Sequence, residues 1–235
     1  MTETTPADQP EAPESRLEDK VDEIYRRRFP ADRLERKRRV WQIIAESWLS
    51  KYVRPDHRLL EVAAGYCEFL NAVKAAEKVA VDLNPETGKH AGPDVAFHEV
   101  NAENLAAHLP EDHFDVVLVS NFFEHCRSRE QILVVLESIH RVTKPGGRIL
   151  VLGPNFKYVG DCYYDYFDHR IALTEMSMAE AVELGGFRVE EMVARTLPYS
   201  FRSRLPSWSW LIRLYFQLPV FWPLFGKQFF VVGRK

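Results

Sequence analysis

Cysteine is scarce in this chain: three in 235 residues, far apart at Cys67, Cys126 and Cys162. An odd number with no CxxC pair argues against a disulfide framework or a structural thiolate zinc site, and makes a reducing compartment, the cytoplasm, the expected location. A basic excess is missing too, since 31 Lys and Arg against 34 Asp and Glu leave a net charge of -3. General nucleic-acid binding normally needs such an excess, so no nucleic-acid partner is expected. No apolar run is long and unbroken enough to span a bilayer, and the polar, acidic, Pro-rich N-terminus does not read as a signal peptide. There is no P-loop, no nucleophile elbow and no HExxH pattern, so neither a covalent nucleophile nor a metal is expected.

What charge there is lies unevenly. Residues 1–24 hold eight acids against two bases, residues 26–39 eight bases against two acids, and residues 196–235 six bases and no acid. The basic run at 26–39 reads as a solvated helix face. Residues 1–16 are Thr-, Pro- and Glu-rich with little to bury and read as a disordered tail. From residue 17 a single domain is expected, beginning with helices over 17–53 that carry Leu34, Val40, Trp41, Ile44, Trp48 and Leu49 at helical spacing.

Strands and helices then alternate. Short apolar runs at Leu59–Ala63, Lys78–Asp82, Val95–Val100, Phe114–Ser120 and Arg148–Leu152 read as strands. Helices are expected over Glu68–Ala76 and over Gln131–Val142, the second with Ile132, Val135, Leu136 and Ile139 inward. A helix over Met176–Leu184 leads to a sixth strand, Phe187–Ala194, and Gln228–Val232 is the last. Alternation of this kind implies a Rossmann-like, doubly wound, mostly parallel sheet, here of seven strands. Residues 196–226 form an aromatic-rich insertion before the last strand.

The stretch Leu59–Phe69, LLEVAAGYCEF, organises the rest. An apolar run ends in a small-residue turn, and the next run, Val79-Ala80-Val81, ends in Asp82. Strand, tight turn, helix and a second strand closing on a carboxylate make the nucleoside site of an open parallel sheet. Gly65 lets a ligand approach the backbone closely, and Asp82 stands where a carboxylate accepts hydrogen bonds from both ribose hydroxyls. A helix cap is the plain alternative for Asp82, and an unrelated nucleotide-binding domain the alternative for the whole.

Four motifs in order carry a more specific resemblance: Leu59–Phe69; Val79–Asn84; Phe114–His125, FDVVLVSNFFEH; and Val142–Gly153, VTKPGGRILVLG. Together they resemble a class I S-adenosylmethionine-dependent methyltransferase of the small-molecule, type 11-like branch, over about residues 59–187. The resemblance implies an antiparallel last strand and S-adenosylmethionine as cofactor, held by Glu61, Ala63, Gly65, Asp82, Leu83, Asn101, Ala102 and Asn121. It departs from the family where Ala63-Ala64-Gly65-Tyr66-Cys67 replaces the usual Gly-x-Gly-x-Gly. It departs again at Asn101, where an acid commonly meets the adenine amine and an amide carbonyl would have to accept instead.

Methyl transfer from a sulfonium is an in-line displacement, in which positioning carries much of the rate. If the acceptor is a hydroxyl, a base helps, and the candidates are His125 and His169. The plain alternatives are a loop-ordering histidine at 125 and a surface aromatic loop around 163–169. The expected activity is methyl transfer to an oxygen or nitrogen of a small-molecule, sugar or lipid-linked acceptor; a binding module without turnover is the alternative. The segment WSWLIRLYFQLPVFWPLF, residues 208–225, reads either as peripheral membrane contact within 200–225 or as a helix packed on the domain or between subunits.

Overall fold

The computed structural model describes Lys20, Glu23, Ile24, Arg27 and residues 31–199 and 208–235. The tail at 1–16, most of the helix expected from residue 17, and Arg202 and Arg204 lie outside the described residues. A first helix, α1 (Ala31–Ser47), buries Trp41, Ile43, Ile44 and Ala45. Strand β1 (Arg58–Val62) follows, then α2 (Glu68–Ala72), β2 (Glu77–Asp82), β3 (Ala96–Glu99) and β4 (Phe114–Ser120). Next come α3 (Arg129–Val142), β5 (Thr143–Pro154), α4 (Glu175–Leu184), β6 (Arg188–Val193), α5 (Ser209–Gln217) and β7 (Gln228–Arg234). Single helical turns fill several of the connections.

The seven strands form one sheet in the order β3-β2-β1-β4-β5-β7-β6. Pairing is parallel from β3 through β5, while β7 runs antiparallel to both β5 and β6. The fold is therefore the doubly wound Rossmann-like sheet with an antiparallel last strand. Strands β1, β4 and β5 are buried on both faces, which is why they read as nearly continuous apolar runs. One core packs α3 and α4 against the sheet; the other packs α1, α2 and α5.

Two elements differ from the sequence reading. Helix α2 stops at Ala72 because the buried Lys78 of β2 donates from Nζ to the carbonyls of Leu70 (2.9 Å) and Val73 (3.3 Å). Those bonds satisfy carbonyls that another helical turn would have used. Strand β5 starts at Thr143 rather than at the expected Arg148, and its register against β4 shifts between Phe114 and Val116. Gly147 fits there because a Cβ would lie 2.8 Å from the Lys144 carbonyl oxygen and 2.9 Å from that of Phe114.

β1, β2 and β4 are neighbours whose carboxyl ends lie at one edge of the sheet, the edge where open α/β sheets bind ligands. β6 also ends there, and β7 starts there, since Gln228 pairs with Pro154 at the end of β5. Residues 196–226 consequently leave and return at that edge.

Candidate active site

After β1 the backbone enters the left-handed region at every second residue: Ala63, Gly65 and Cys67 all have φ 54°. These are the three places where the family pattern has glycine. The turn keeps its shape through Ala64 N–H to Val81 O (3.1 Å) and Cys67 N–H to Ala64 O (2.8 Å). Alanine and cysteine hold that conformation at a cost of about 1–2 kcal/mol each. The Cys67 side chain is fully buried in the α1–α2 core, with Sγ 3.9 Å from Thr87 O. It fills the core rather than the ligand edge, and burial followed by the nearby Glu61 charge pushes its thiol far up.

Asp82, at the end of β2, ties two loops together. Its Oδ2 accepts from Gly65 N–H (2.8 Å) and its Oδ1 from Asn84 N–H (2.9 Å). Burial raises its carboxyl and these backbone donors oppose the rise. Each carboxylate oxygen has a further lone pair for a diol. Leu83 beside it is 56 % exposed, an apolar side chain standing open at the ligand edge.

Glu61 lies within β1, not in the loop, and is 5 % exposed. Its Oε2 has no hydrogen-bond partner among the described residues. Burial first, and then the Glu68 charge, lift its carboxyl well above the ordinary range. Lys37 of α1 reaches Glu68 Oε1 at 2.9 Å and lies 5.5 Å from the Tyr66 ring centroid. An orphaned buried acid beside an open, left-handed loop suits a cationic ligand group. The folded carboxyl keeps its proton to higher pH than the unfolded one. Its contribution is therefore full below the unfolded value and lost as pH rises through the folded one. Glu61→Gln, which stays neutral, is expected to raise the melting temperature of the ligand-free protein more at pH 8 than at pH 5. An equal or larger gain at pH 5 would refute the protonated, buried carboxyl.

Asn101 caps the turn after β3, its Oδ1 accepting from Glu103 N–H at 3.0 Å, and Ala102 is buried. The amide oxygen thus serves the turn and keeps one lone pair for another donor. Asn121 follows β4 with φ 52°, its N–H bonded to Leu152 O (2.9 Å) and its Nδ2 to Ser120 Oγ (3.0 Å). Asparagine tolerates that backbone conformation better than most side chains.

His125 and His169 are 44 positions apart in sequence, yet their rings stand edge-to-face with centroids 4.9 Å apart. His125 Nδ1 is 3.1 Å from the Asp168 carbonyl oxygen and 3.3 Å from Asp168 Oδ2. Two acceptors at Nδ1 place the proton there in the neutral ring, leaving the lone pair on Nε2. That nitrogen faces Glu124 Oε1 at 3.9 Å. His169 stacks on Tyr166, lies edge-on to Tyr163 and approaches Tyr199 from the insertion. The Glu124 carbonyl accepts from Arg170 and Ile171 N–H, which fastens this loop to the end of β4. Ligand atoms of Glu124, His125 and His169 lie within 4.8 Å of one another, close enough to share a proton or, after a small closure, a metal ion. Glu124 and Asp168 were not singled out from sequence; each is an acid next to a histidine, and that adjacency was the available signal.

The doubly wound seven-stranded sheet, with a left-handed loop after β1 and a carboxylate closing β2, is the Rossmann-like fold of class I S-adenosylmethionine-dependent methyltransferases. Residues 60–151 match the family described as methyltransferase domain. It is 32% identical over 114 residues to ubiquinone/menaquinone biosynthesis C-methyltransferase UbiE of Ectopseudomonas mendocina, 43% of each chain. To the UbiE protein of Pectobacterium carotovorum it is 29% identical over 153 residues, 58% of each. The chain thus spans about half the length of these curated relatives. In fold it resembles a SAM-dependent methyltransferase from Archaeoglobus fulgidus, with a TM-score of 0.64, 18% identity, and 91% of this chain and 99% of that one covered. A possible histamine N-methyltransferase from Thermotoga maritima gives a TM-score of 0.62 at 21% identity, covering 91% and 98%. S-adenosylmethionine is the cofactor of this class. The residues present suit it: a diol acceptor at Asp82, an open apolar contact at Leu83 and a buried acid at Glu61.

Proposed function

We propose that this protein transfers the methyl group of S-adenosylmethionine to an oxygen or nitrogen of a small-molecule, sugar or lipid-linked acceptor, in the cytoplasm. One juxtaposition supports this above all: the loop closed by Asp82 and the His125–Asp168 pair stand at the same sheet edge, on strands flanking β1. Asp82 takes the ribose hydroxyls. Gly65 and Ala63 bring backbone close to the donor, while Leu83, Asn101 and Ala102 flank the adenine and Asn121 borders the methyl group. The bound donor supplies an electrophilic methyl carbon. The protein aligns the acceptor with it, and the His125–His169 cluster receives the acceptor's proton, Asp168 fixing which nitrogen of His125 is free.

Asp165 and Asp168, with the tyrosines around His169, offer polar partners to an acceptor. A carbon acceptor is the second reading, because the curated relatives are named C-methyltransferases. Titration calorimetry with S-adenosylmethionine, followed by turnover on panels of phenols, amines and quinols with a labelled methyl donor, tests both. Binding with turnover on oxygen or nitrogen is expected. Product methylated only on carbon would overturn the acceptor assignment; binding without turnover on any panel would leave a binding module in place of the enzyme.

A further inference from the structure

Among the described residues, sixteen large hydrophobic side chains are exposed, and eight of them lie between residues 208 and 225. They are Trp208, Trp210, Leu214, Leu218, Val220, Phe221, Leu224 and Phe225, with exposures from 37 % at Leu218 to 74 % at Val220. The segment is not merely loose. Phe216 and Trp222 are buried against Trp48, with ring centroids 5.5 and 5.4 Å away. Tyr215 O–H donates to Thr196 O, and Trp222 Nε1 to Tyr215 O at 3.0 Å. Arg195 fastens the far end, donating from Nε to Gly226 O at 2.7 Å. A firmly anchored element therefore turns its other side outward, and that side is apolar.

The charge beside it has one prevailing sign. Helix α5 packs on α1, which carries residues 31–39 of the basic run read from sequence as an ordinary solvated face. Arg39 of α1 lines one open groove together with Trp208, Ser209 and Trp210. Arg38, the residue before it, turns another way, its guanidinium 3.5 Å from His90 Nδ1. Of the two acids on α1 that are exposed among the described side chains, Glu46 is held by Arg213 at 2.7 Å, leaving Glu35. Residues 196–235 add no acid. Two sequence features more than 150 residues apart are thus joined on one surface. Tryptophans with arginines at their border match the headgroup region of a bilayer, where indole rings settle and cationic side chains meet lipid phosphate. An apolar patch rimmed only by neutral groups would fit a second copy of the chain equally well. The arginines decide for an anionic surface.

We propose that α5 and residues 218–225, with Arg39 of α1, dock this protein on an anionic membrane surface. No helix among the described residues is long and apolar enough to cross a membrane, so the contact is peripheral. It sits on the segment that leaves and re-enters the sheet at the candidate active edge, and Tyr199 of that segment touches the histidine cluster. Docking here sets that edge beside the bilayer.

The test is sedimentation of the full chain, without methyl donor, with phosphatidylcholine vesicles and with phosphatidylcholine–phosphatidylserine vesicles. Because no donor is present, the result is independent of the methyl-transfer reading. Pelleting with the anionic vesicles that declines as salt rises, with a blue shift of tryptophan emission, is expected. Arg39→Glu should lower partitioning roughly fivefold or more. Trp208→Ser combined with Trp210→Ser, both exposed, should lower it at least roughly tenfold while leaving the circular dichroism unchanged. Recovery in the supernatant with both vesicles would overturn the proposal. So would equal, salt-insensitive pelleting with both, or a dimer in solution that Trp210→Ser dissociates while vesicles capture nothing.

Discussion

Asp82→Ala is expected to weaken S-adenosylmethionine binding by roughly a hundredfold or more in titration calorimetry. Hydrogen bonds to a charged acceptor contribute about 1.5–3 kcal/mol each, and in the proposed binding mode two ribose hydroxyls share this carboxylate. The substitution also releases Gly65 and Asn84 N–H, so the turn after β1 loses its tie to the end of β2. Asp82→Asn keeps one acceptor oxygen and should fall between wild type and alanine. Unchanged affinity in a folded Asp82→Ala protein would mean that the ribose binds elsewhere.

His125→Ala should lower kcat by about a hundred- to ten-thousand-fold on a hydroxyl acceptor, with the affinity for the donor little changed. His125 stands after β4, away from the Asp82 loop, so donor binding and proton removal separate in the measurement. Asp168→Asn replaces one of the two Nδ1 acceptors and leaves the carbonyl of the same residue in place, so its loss should be smaller. Full activity in His125→Ala would reduce this ring to a loop-ordering role. Dialysis against a chelator distinguishes two uses of the same nitrogen: activity that survives leaves Nε2 to the proton, while activity lost and restored by a divalent cation would make Glu124, His125 and His169 ligands.

The strands were legible because β1, β4 and β5 are buried on both faces and therefore written in aliphatic residues. The ends of α2 and β5 were not, since each depends on a distant partner: Lys78 reaching back to Leu70, and Gly147 held against the Phe114 carbonyl. Gly65 and Asp82 could be paired from sequence because a strand–turn–helix–strand unit sets their separation. Nothing in the spacing of His125 and His169 announces that the rings meet; the loop after β5 folds back onto the end of β4 through Glu124. The left-handed backbone at Cys67 and the turn of its side chain into the core could not be read from the loop sequence. The basic run of α1 was readable only as charge. Its meaning depends on α5, which no local pattern ties to it.

The place of β7 carries a consequence for how the chain assembles. Among the described residues β6 pairs only with β7, and β7 lies between β6 and β5 although it follows both in sequence. Until residues 228–234 insert, β6 has no neighbour and β5 presents an unpaired edge of buried aliphatic residues. Closing the sheet therefore needs a long-range pairing, the kind that slows folding. Truncation or modification of the final strand would act less by trimming an edge than by splitting the sheet in two.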